Sequence, residues 1–256
     1  MISARALVRR AGSAAAYYSG LEGQRHRVAM KNRGVVLMYH RVLPDASHTD
    51  VDPGMYVTAS AFEHHLRVLK SRYELVTIDA LGEWMAGERA FTRPPCAITF
   101  DDGWRDNYEV AFPLLQRYDV TATVFLVTGW IGQRDDMLDA DRIAQMESRG
   151  IAFGSHTVTH ALLGEIDPPA IRSELADSKM ALARYVQRPS RWFCFPKGSH
   201  NRAACDLARE FYDGAVTVRK GWVDRHDDRF TLRRVGIHND VAETAAMLAS
   251  RITFLR

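Results

Sequence analysis

The chain has 256 residues, of which 46% are hydrophobic and 25% are charged, so it is long enough to bury a large core. It contains no run of about 18 apolar residues, which argues against a membrane-spanning helix. The three cysteines have neither CxxC nor CxxH spacing, and their odd number argues against a disulfide framework and favours a reducing compartment.

Positive charge is concentrated at the start of the chain. Residues 1–34 carry seven basic side chains and one acidic side chain, a net charge of +6, so the other 222 residues sum to −3. This segment lacks the apolar core of a signal peptide. One face of a helix here would carry Leu7, Ala11, Ala14, Tyr18 and Leu21. We expect a basic amphipathic leader over residues 1–33 that lies on an anionic membrane surface or packs on its own domain, and no binding to nucleic acid.

After residue 34, apolar segments alternate with helical ones, and we predict one domain over residues 34–256. The predicted strands are Val35–Tyr39, Leu75–Ile78, Ala97–Phe100, Ala122–Val127, Ile151–Gly154, Trp192–Phe195, Ala215–Val218 and Leu232–Ile237. Five helices are predicted. The first follows a cap at Ser60, the second contains Pro113, the third begins after Asp167, and the last two cover Ala203–Phe211 and Ala242–Ile252. This alternation is typical of a mainly parallel sheet, either open or closed into a barrel.

Polar residues follow several of these apolar segments directly. In parallel α/β folds, ligands bind at the carboxyl ends of the strands. The polar residues at predicted strand ends are His40, Asp101, Asp102, His156, His160 and His238. The sequence therefore predicts a site at this edge of the sheet.

The stretch CAITFDDG places two adjacent carboxylates after a predicted strand. Asp101 and Asp102 repel each other, and at a strand end they are costly unless a cation compensates at least one of them. Alternatively, they cap the following helix, since Asp is a favoured N-cap.

The stretch GSHTVTH favours a site over a cap. His156 and His160 have i, i+4 spacing, which predicts that a helical turn brings both imidazoles to one side. Two imidazoles and one carboxylate form a common three-ligand set for a catalytic divalent metal. Only one of the two aspartates needs to bind the metal, and the other is then placed to act as a general base.

TFDDG and HTVTH resemble the first two signature motifs of the polysaccharide deacetylases, which are carbohydrate esterases. The resemblance covers roughly residues 34–240. It implies a distorted, incomplete (β/α) barrel of about seven parallel strands and metal-dependent removal of N-acetyl groups from amino sugars. By position, it implies that Asp101 is the base and that Asp102, His156 and His160 bind the metal. The metal is expected to be Zn, with Ni, Co, Fe and Mn as alternatives.

A third stretch, RWFCFPKGSH, resembles a groove motif of the same family. Phe195, Pro196 and Gly198 match it, while Lys197 replaces the usual aromatic residue. The resemblance implies that the Lys197 N–H contributes to the oxyanion site. The arginine that many members place before the proline is missing, and Arg234 is a candidate substitute as partner of the base; a surface arginine is the alternative.

The resemblance leaves two histidines as candidates for the general acid. LMYHRV looks like the first strand of the exopolysaccharide deacetylases that act on poly-N-acetylglucosamine, which makes His40 the preferred candidate. His238 is second, and His40 could instead be a satisfied core histidine. The expected substrate contacts are Tyr39, Trp104, Phe195, Pro196, Gly198 and Trp222.

These features predict a metal-dependent deacetylase of an N-acetylated polysaccharide or lipid-linked saccharide. We expect it to work in the cytoplasm or at the inner membrane face, in envelope or exopolysaccharide synthesis. The alternatives are an enzyme that hydrolyses another amide, such as a formamide, at the same metal site, and a catalytically inactive saccharide-binding domain.

Overall fold

The computed structural model describes residues 4–47 and 50–255. The strands are β1 (Arg33–Tyr39), β2 (Arg41–Leu43), β3 (Tyr56–Thr58), β4 (Glu74–Val76), β5 (Pro95–Phe100), β6 (Thr123–Leu126), β7 (Ala152–Ser155), β8 (Trp192–Cys194), β9 (Gly214–Lys220), β10 (Val223–Asp224) and β11 (Leu232–Gly236). The helices are α1 (Ala4–Tyr18), α2 (Leu21–Ala29), α3 (Ala59–Arg72), α4 (Ile78–Ala86), α5 (Phe112–Arg117), α6 (Ala140–Ser148), α7 (Pro168–Tyr185), α8 (Arg202–Phe211), α9 (Asn239–Ala242) and α10 (Ala245–Thr253).

Seven parallel strands close into a barrel. The order around the ring is β1, β11, β9, β8, β7, β6 and β5, and β5 pairs with β1 from Val35 opposite Cys96 to Tyr39 opposite Phe100. β4 pairs with the start of β5, β10 runs antiparallel to the start of β1, and β2 pairs with β3 outside the ring. A register shift in β11 distorts the barrel. The predicted fold class is therefore confirmed.

The strands are continuously hydrophobic in sequence because both of their faces pack against apolar layers. Because side chains alternate along a strand, one set faces the surrounding helices and the other faces the barrel interior. The interior set includes Val36, Phe125 and Trp192, and α4 packs against it. The large Trp192 ring fits there because Gly82 and Gly214 have no side chain. A Cβ at these positions would lie only 2.7 and 2.5 Å from the ring, respectively.

Side-chain caps determine where the helices begin, and they change two predicted boundaries. α3 starts earlier than expected because Thr58, not Ser60, accepts a hydrogen bond from the first turn. The helix predicted over Ala242–Ile252 is two helices, since Thr244 caps the start of α10. Asp167 caps α7, as predicted.

Two helices precede the barrel and pack against α10. The single helix predicted for this segment breaks after Tyr18, and Gly20 has a left-handed φ of 80° between α1 and α2. α2 buries Glu22 and His26. None of the helices formed by the described residues combines the length and hydropathy that crossing a bilayer requires. The division of the chain at residue 33 stays a prediction.

Candidate active site

The carboxyl ends of β1, β5 and β7 hold the polar residues that the motifs single out. His40 follows β1, Asp101 and Asp102 follow β5, and His156 and His160 follow β7. β5 pairs directly with β1, and only β6 separates β5 from β7. The five side chains therefore belong to one edge of the barrel.

Arg234 of β11 holds Asp101. Its two terminal nitrogens each donate a 2.7 Å hydrogen bond to one carboxylate oxygen, and its side chain is fully buried. Bonds to the Thr217 carbonyl and the Thr99 hydroxyl fix the guanidinium. Burial opposes ionisation of Asp101, but Arg234 outweighs burial, so the pKa of Asp101 lies well below its ordinary value. Asp101 is therefore an ionised carboxylate in a fixed orientation.

A sharp turn separates the two adjacent carboxylates. Asp102 and Gly103 have positive φ values of 75° and 85°. A side chain at position 103 would not fit, since a Cβ there would come within 2.5 Å of Leu126. Consequently, Asp101 meets Arg234 while Asp102 turns toward the histidines that follow β7.

The loop that carries these histidines is not a helical turn, which corrects the interpretation of their spacing. Thr157 and His160 have positive φ values of 70° and 65°, which a right-handed helix does not allow. Glu174 of α7 holds the loop by accepting hydrogen bonds from two consecutive backbone N–H groups at 2.7 and 3.1 Å. The ring centroids of His156 and His160 still lie only 5.0 Å apart.

Asp102, His156 and His160 direct three donor atoms toward one point. Oδ1 of Asp102 lies 3.5 Å from Nε2 of each histidine, and it is buried without a hydrogen-bond partner among the described residues. Oδ2 accepts a 2.9 Å hydrogen bond from Trp104. Nδ1 of His156 lies 2.7 Å from the Cys194 carbonyl, which fixes the ring and leaves Nε2 for a cation. These three residues fit a divalent metal.

The electrostatics of the three residues suit a cation. Burial opposes ionisation of Asp102, but His156 and His40 outweigh it, so the pKa of Asp102 is lowered. Burial and His156 lower the pKa of His160, which favours the neutral imidazole that a metal requires. Burial opposes charge on His156 as well, yet Cys194 and Asp102 raise its pKa well above the ordinary value. Positive charge is therefore favoured beside Asp102.

Tryptophans and arginines form one wall of the site. Trp130 stacks on His160 with the ring centroids 5.5 Å apart. Arg134 lies over Trp130 at 4.7 Å, and Arg41 lies over Trp104 at 4.5 Å. The motifs identified Trp104 but missed Trp130. Trp130 lies just after β6, so the rule that functional residues follow strands could have found it.

Three predicted substrate contacts lie elsewhere, which corrects those expectations. Tyr39 points into the core and hydrogen-bonds to His65 at 3.1 Å. The side chain of Phe195 is completely buried in the core between β8, α7 and α8. Trp222 lies beneath the guanidinium of Arg33 at the amino end of β1, outside the site. Position near a strand end does not determine the direction of a side chain.

The turn Pro196–Gly198 borders the site. Lys197 is exposed with a φ of 50°, and its charge helps to lower the pKa of His160, which places it near the metal ligands. Gly198 has a φ of 68°, and a Cβ there would come within 2.7 Å of Val218. Pro196 is buried and anchors the turn. The role of the Lys197 N–H stays a prediction.

The two candidate acids have different surroundings. The charge of His40 contributes to lowering the pKa of both Asp101 and Asp102, which puts His40 within electrostatic reach of the two carboxylates. Its carbonyl accepts a 2.9 Å hydrogen bond from Asn107. The charges that act on His238 come from Asp240, Arg251, Arg9 and Asp52, none of which belongs to the site.

The fold and the site together indicate a (β/α)-barrel protein with a candidate site for metal-assisted hydrolysis. Comparison with known proteins names the family. Residues 88–212 match the family model for polysaccharide deacetylases. YxkH of Bacillus subtilis, which is named as a polysaccharide deacetylase, is 27% identical over 212 residues, covering 82% of this chain and 73% of its own.

Two further proteins are similar to the chain. The poly-β-1,6-N-acetyl-D-glucosamine N-deacetylase of Staphylococcus aureus is 25% identical over 194 residues, which is 67% of each chain. The structure of the Streptococcus pyogenes deacetylase PplD in complex with acetate has the same fold, with a TM-score of 0.79 and 23% identity over 86% of this chain and 98% of that one. Residues 88–212 therefore match a polysaccharide deacetylase domain, and the similarity to YxkH extends the likeness over 82% of the chain.

Proposed function

We propose that the protein is a metal-dependent hydrolase that removes N-acetyl groups from the amino sugars of a polysaccharide or lipid-linked saccharide. The observation that carries this proposal is the donor set of Asp102, His156 and His160 beside the ionised Asp101. The similarity to a poly-β-1,6-N-acetyl-D-glucosamine N-deacetylase supports an exopolysaccharide or envelope saccharide as substrate. We place the reaction in the cytoplasm or at the inner face of the membrane.

Asp102, His156 and His160 would hold one divalent metal, for which zinc suits two imidazoles and a carboxylate. Ni, Co, Fe and Mn accept the same ligands. A bound divalent ion supplies a Lewis acid that polarises the acetyl carbonyl and acidifies the attacking water.

Asp101 accepts the proton of that water. Because Arg234 lowers the pKa of Asp101, this carboxylate is a weak base and takes a proton only from a strongly acidified water. The two hydrogen bonds from Arg234 keep both carboxylate oxygens in place during the transfer. The Lys197 N–H stabilises the oxyanion that develops on the acetyl group.

His40 donates the proton that the leaving amine needs. An amide nitrogen leaves poorly unless it is protonated, so the reaction needs an acid near the scissile bond. His40 interacts electrostatically with both Asp101 and Asp102, whereas the charged neighbours of His238 lie outside the site.

The test is His40→Ala with His238→Ala as the matched control. We expect His40→Ala to release acetate from chitooligosaccharides at least about 100-fold more slowly, at unchanged metal content, and His238→Ala to retain turnover. The opposite pattern would assign the acid to His238.

Chelation and reconstitution with each metal test the metal dependence of the same reaction. Turnover of N-formylated amino sugars alone would favour the alternative amide hydrolase. Saccharide binding without turnover of either substrate would favour an inactive binding domain.

A further inference from the structure

Exposed apolar side chains are concentrated on the two helices that precede the barrel. Seven large hydrophobic side chains are strongly exposed among the described residues, and five of them lie on α1 and α2. These five are Leu7, Val8, Tyr18, Leu21 and Val28, and the exposed fractions of Val8, Tyr18 and Val28 are 73%, 83% and 78%. A group of exposed apolar side chains on one surface indicates an interaction site.

The apolar stripe of α1 faces away from the barrel. Leu7, Ala11 and Tyr18 are exposed, whereas Ser13 on the other side of the helix is buried. A helix that serves only to cover its own domain buries its apolar face. α1 instead packs on α10 with the side that carries Ser13 and leaves its apolar stripe outside.

The same surface is basic. Arg25, Arg27 and Lys31 are exposed around Val28. The one acidic residue before residue 34 is Glu22, which is completely buried. Exposed cations next to exposed apolar side chains complement a surface of anionic lipid, which offers negative headgroups above acyl chains.

A groove of about 700 Å³ opens on this surface. Its lining includes Leu21, Arg25, Val28, Trp222 and Phe254. The guanidinium of Arg25 lies 5.7 Å above the Phe254 ring, so a cation stands over an apolar floor. This combination suits the junction between an anionic headgroup and its acyl chain.

α1 runs along the side of the barrel from the catalytic edge to the opposite end. Near its start, Arg10 pairs at 3.2 Å with Glu243, directly after α9, which follows the carboxyl end of β11. Beyond its end, Glu22 accepts a 2.5 Å hydrogen bond from Thr253. The adjacent Ile252 carbonyl accepts a hydrogen bond from Trp222, which lies beneath Arg33 at the start of β1. A flat surface against the outer side of α1 therefore lies parallel to the barrel axis.

We propose that the outer face of α1 and α2 docks on a membrane surface rich in anionic lipid, with the barrel on its side. The exposed apolar side chains enter the interface, and Arg25, Arg27 and Lys31 contact the headgroups. The catalytic edge then lies beside the membrane. Docking itself does not depend on the proposed reaction, and only its benefit for a lipid-linked substrate rests on that reaction.

The test is cosedimentation of the 256-residue chain with vesicles of phosphatidylcholine and phosphatidylglycerol in equal amounts. We expect the double variant Val8→Ser/Val28→Ser to bind the vesicles at least about tenfold more weakly, because two exposed apolar groups are lost. The triple variant Arg25→Gln/Arg27→Gln/Lys31→Gln should lose at least as much. The matched control, Met180→Ser/Arg202→Gln, changes an exposed apolar and an exposed basic residue on other helices and should bind as the wild type does.

Three results would overturn the proposal. The first is that the wild type binds pure phosphatidylcholine vesicles as well as it binds the mixed vesicles, and the second is that both leader variants bind the mixed vesicles as the wild type does. The third is that Val8→Ser/Val28→Ser converts an oligomer to a monomer, which would make this face an interface between copies of the chain. Acetate release from soluble oligosaccharides should be unaffected by these variants. A failure of docking is thereby distinguished from a failure of the proposed reaction.

Discussion

Two buried carboxylates pair with arginines at opposite ends of the barrel, and the two pairs differ in geometry. At the catalytic end, Arg234 is completely buried and binds both oxygens of Asp101 at 2.7 Å. At the amino end, one oxygen of Glu22 accepts hydrogen bonds from Arg72 and Thr253, while its other oxygen is buried without a partner among the described residues. Arg72 is partly exposed, with 21% of its side chain accessible.

The difference shows how one interaction type serves two purposes. A bidentate pair fixes the orientation of a carboxylate, and Asp101 needs a fixed orientation if it is to accept a proton. A single contact suffices to attach one helix to another, and Glu22 joins α2 to α3 and α10 in this way. We therefore expect changes at the first pair to alter turnover and changes at the second to alter stability.

The largest effect is expected from Asp101→Asn, which removes the proposed base. Turnover should fall at least about 1,000-fold, since general base catalysis contributes on this scale. Metal content should be retained, because Asp101 is not one of the three proposed ligands. Acetate release and elemental analysis measure the two properties.

Glu22→Gln is the matched control, since it neutralises the other buried carboxylate. It should leave turnover unchanged and lower the free energy of unfolding by about 1–3 kcal/mol, measured by denaturant titration. Turnover in Asp101→Asn near the wild-type rate would exclude Asp101 as the base.

Arg234→Lys is expected to lower turnover less than Asp101→Asn does. Arg72→Lys is its matched control. Lysine cannot bind both oxygens of a carboxylate. Misplacement of Asp101 in Arg234→Lys should therefore lower kcat by about 10- to 100-fold with little change in KM. Weaker pairing also raises the pKa of Asp101, so the acidic limb of the pH–rate profile should move to higher pH. Arg72→Lys should leave kcat and the profile unchanged, and the same shift in both variants would refute the distinction.

The smallest effect concerns the buried side chain of His65, whose two hydrogen-bond partners are uncharged groups. Burial lowers the pKa of His65 to about 4, and its ring contacts Tyr39 and the Ala242 carbonyl. Below pH 6.5 the unfolded chain binds a proton that the folded chain does not, so this contribution to stability is lost as pH falls toward 4. Between pH 7 and 5 the loss is about 2 kcal/mol.

The measurement is the free energy of unfolding at several pH values for the wild type and for His65→Gln. Glutamine preserves a donor for the Ala242 carbonyl but does not titrate. The wild type should lose more stability on acidification than the variant does. Equal pH dependence in both proteins would mean that His65 is not neutral in the folded state.

Much of the fold was predictable because parallel strands buried on both faces leave continuous apolar runs in the sequence. Val35–Tyr39 and Ala97–Phe100 are examples, and both lie in observed strands. The short strands β2, β3 and β10 were missed, since two or three residues carry no periodic signal. The split between α9 and α10 depends on one capping hydrogen bond at Thr244.

The candidate site was predictable where residue type and strand ends coincide. Asp101, Asp102, His156 and His160 satisfy both conditions. The directions of Tyr39 and Phe195 were not predictable, because whether a side chain faces the site or the core depends on how the barrel closes. His156 and His160 meet for a different reason from the one that their spacing suggested, since left-handed loop geometry brings them together.

By itself, the sequence determined the parallel α/β architecture, the residue types of the metal set and the amphipathic character of the leader, since each is a local pattern of chain chemistry. Only the tertiary structure decided that Arg234 reaches Asp101 across 133 positions of the chain and that the apolar stripe of α1 faces outward. Long-range pairing depends on barrel closure, and the outward orientation depends on which side of α1 packs on α10. Neither is a property of any local segment.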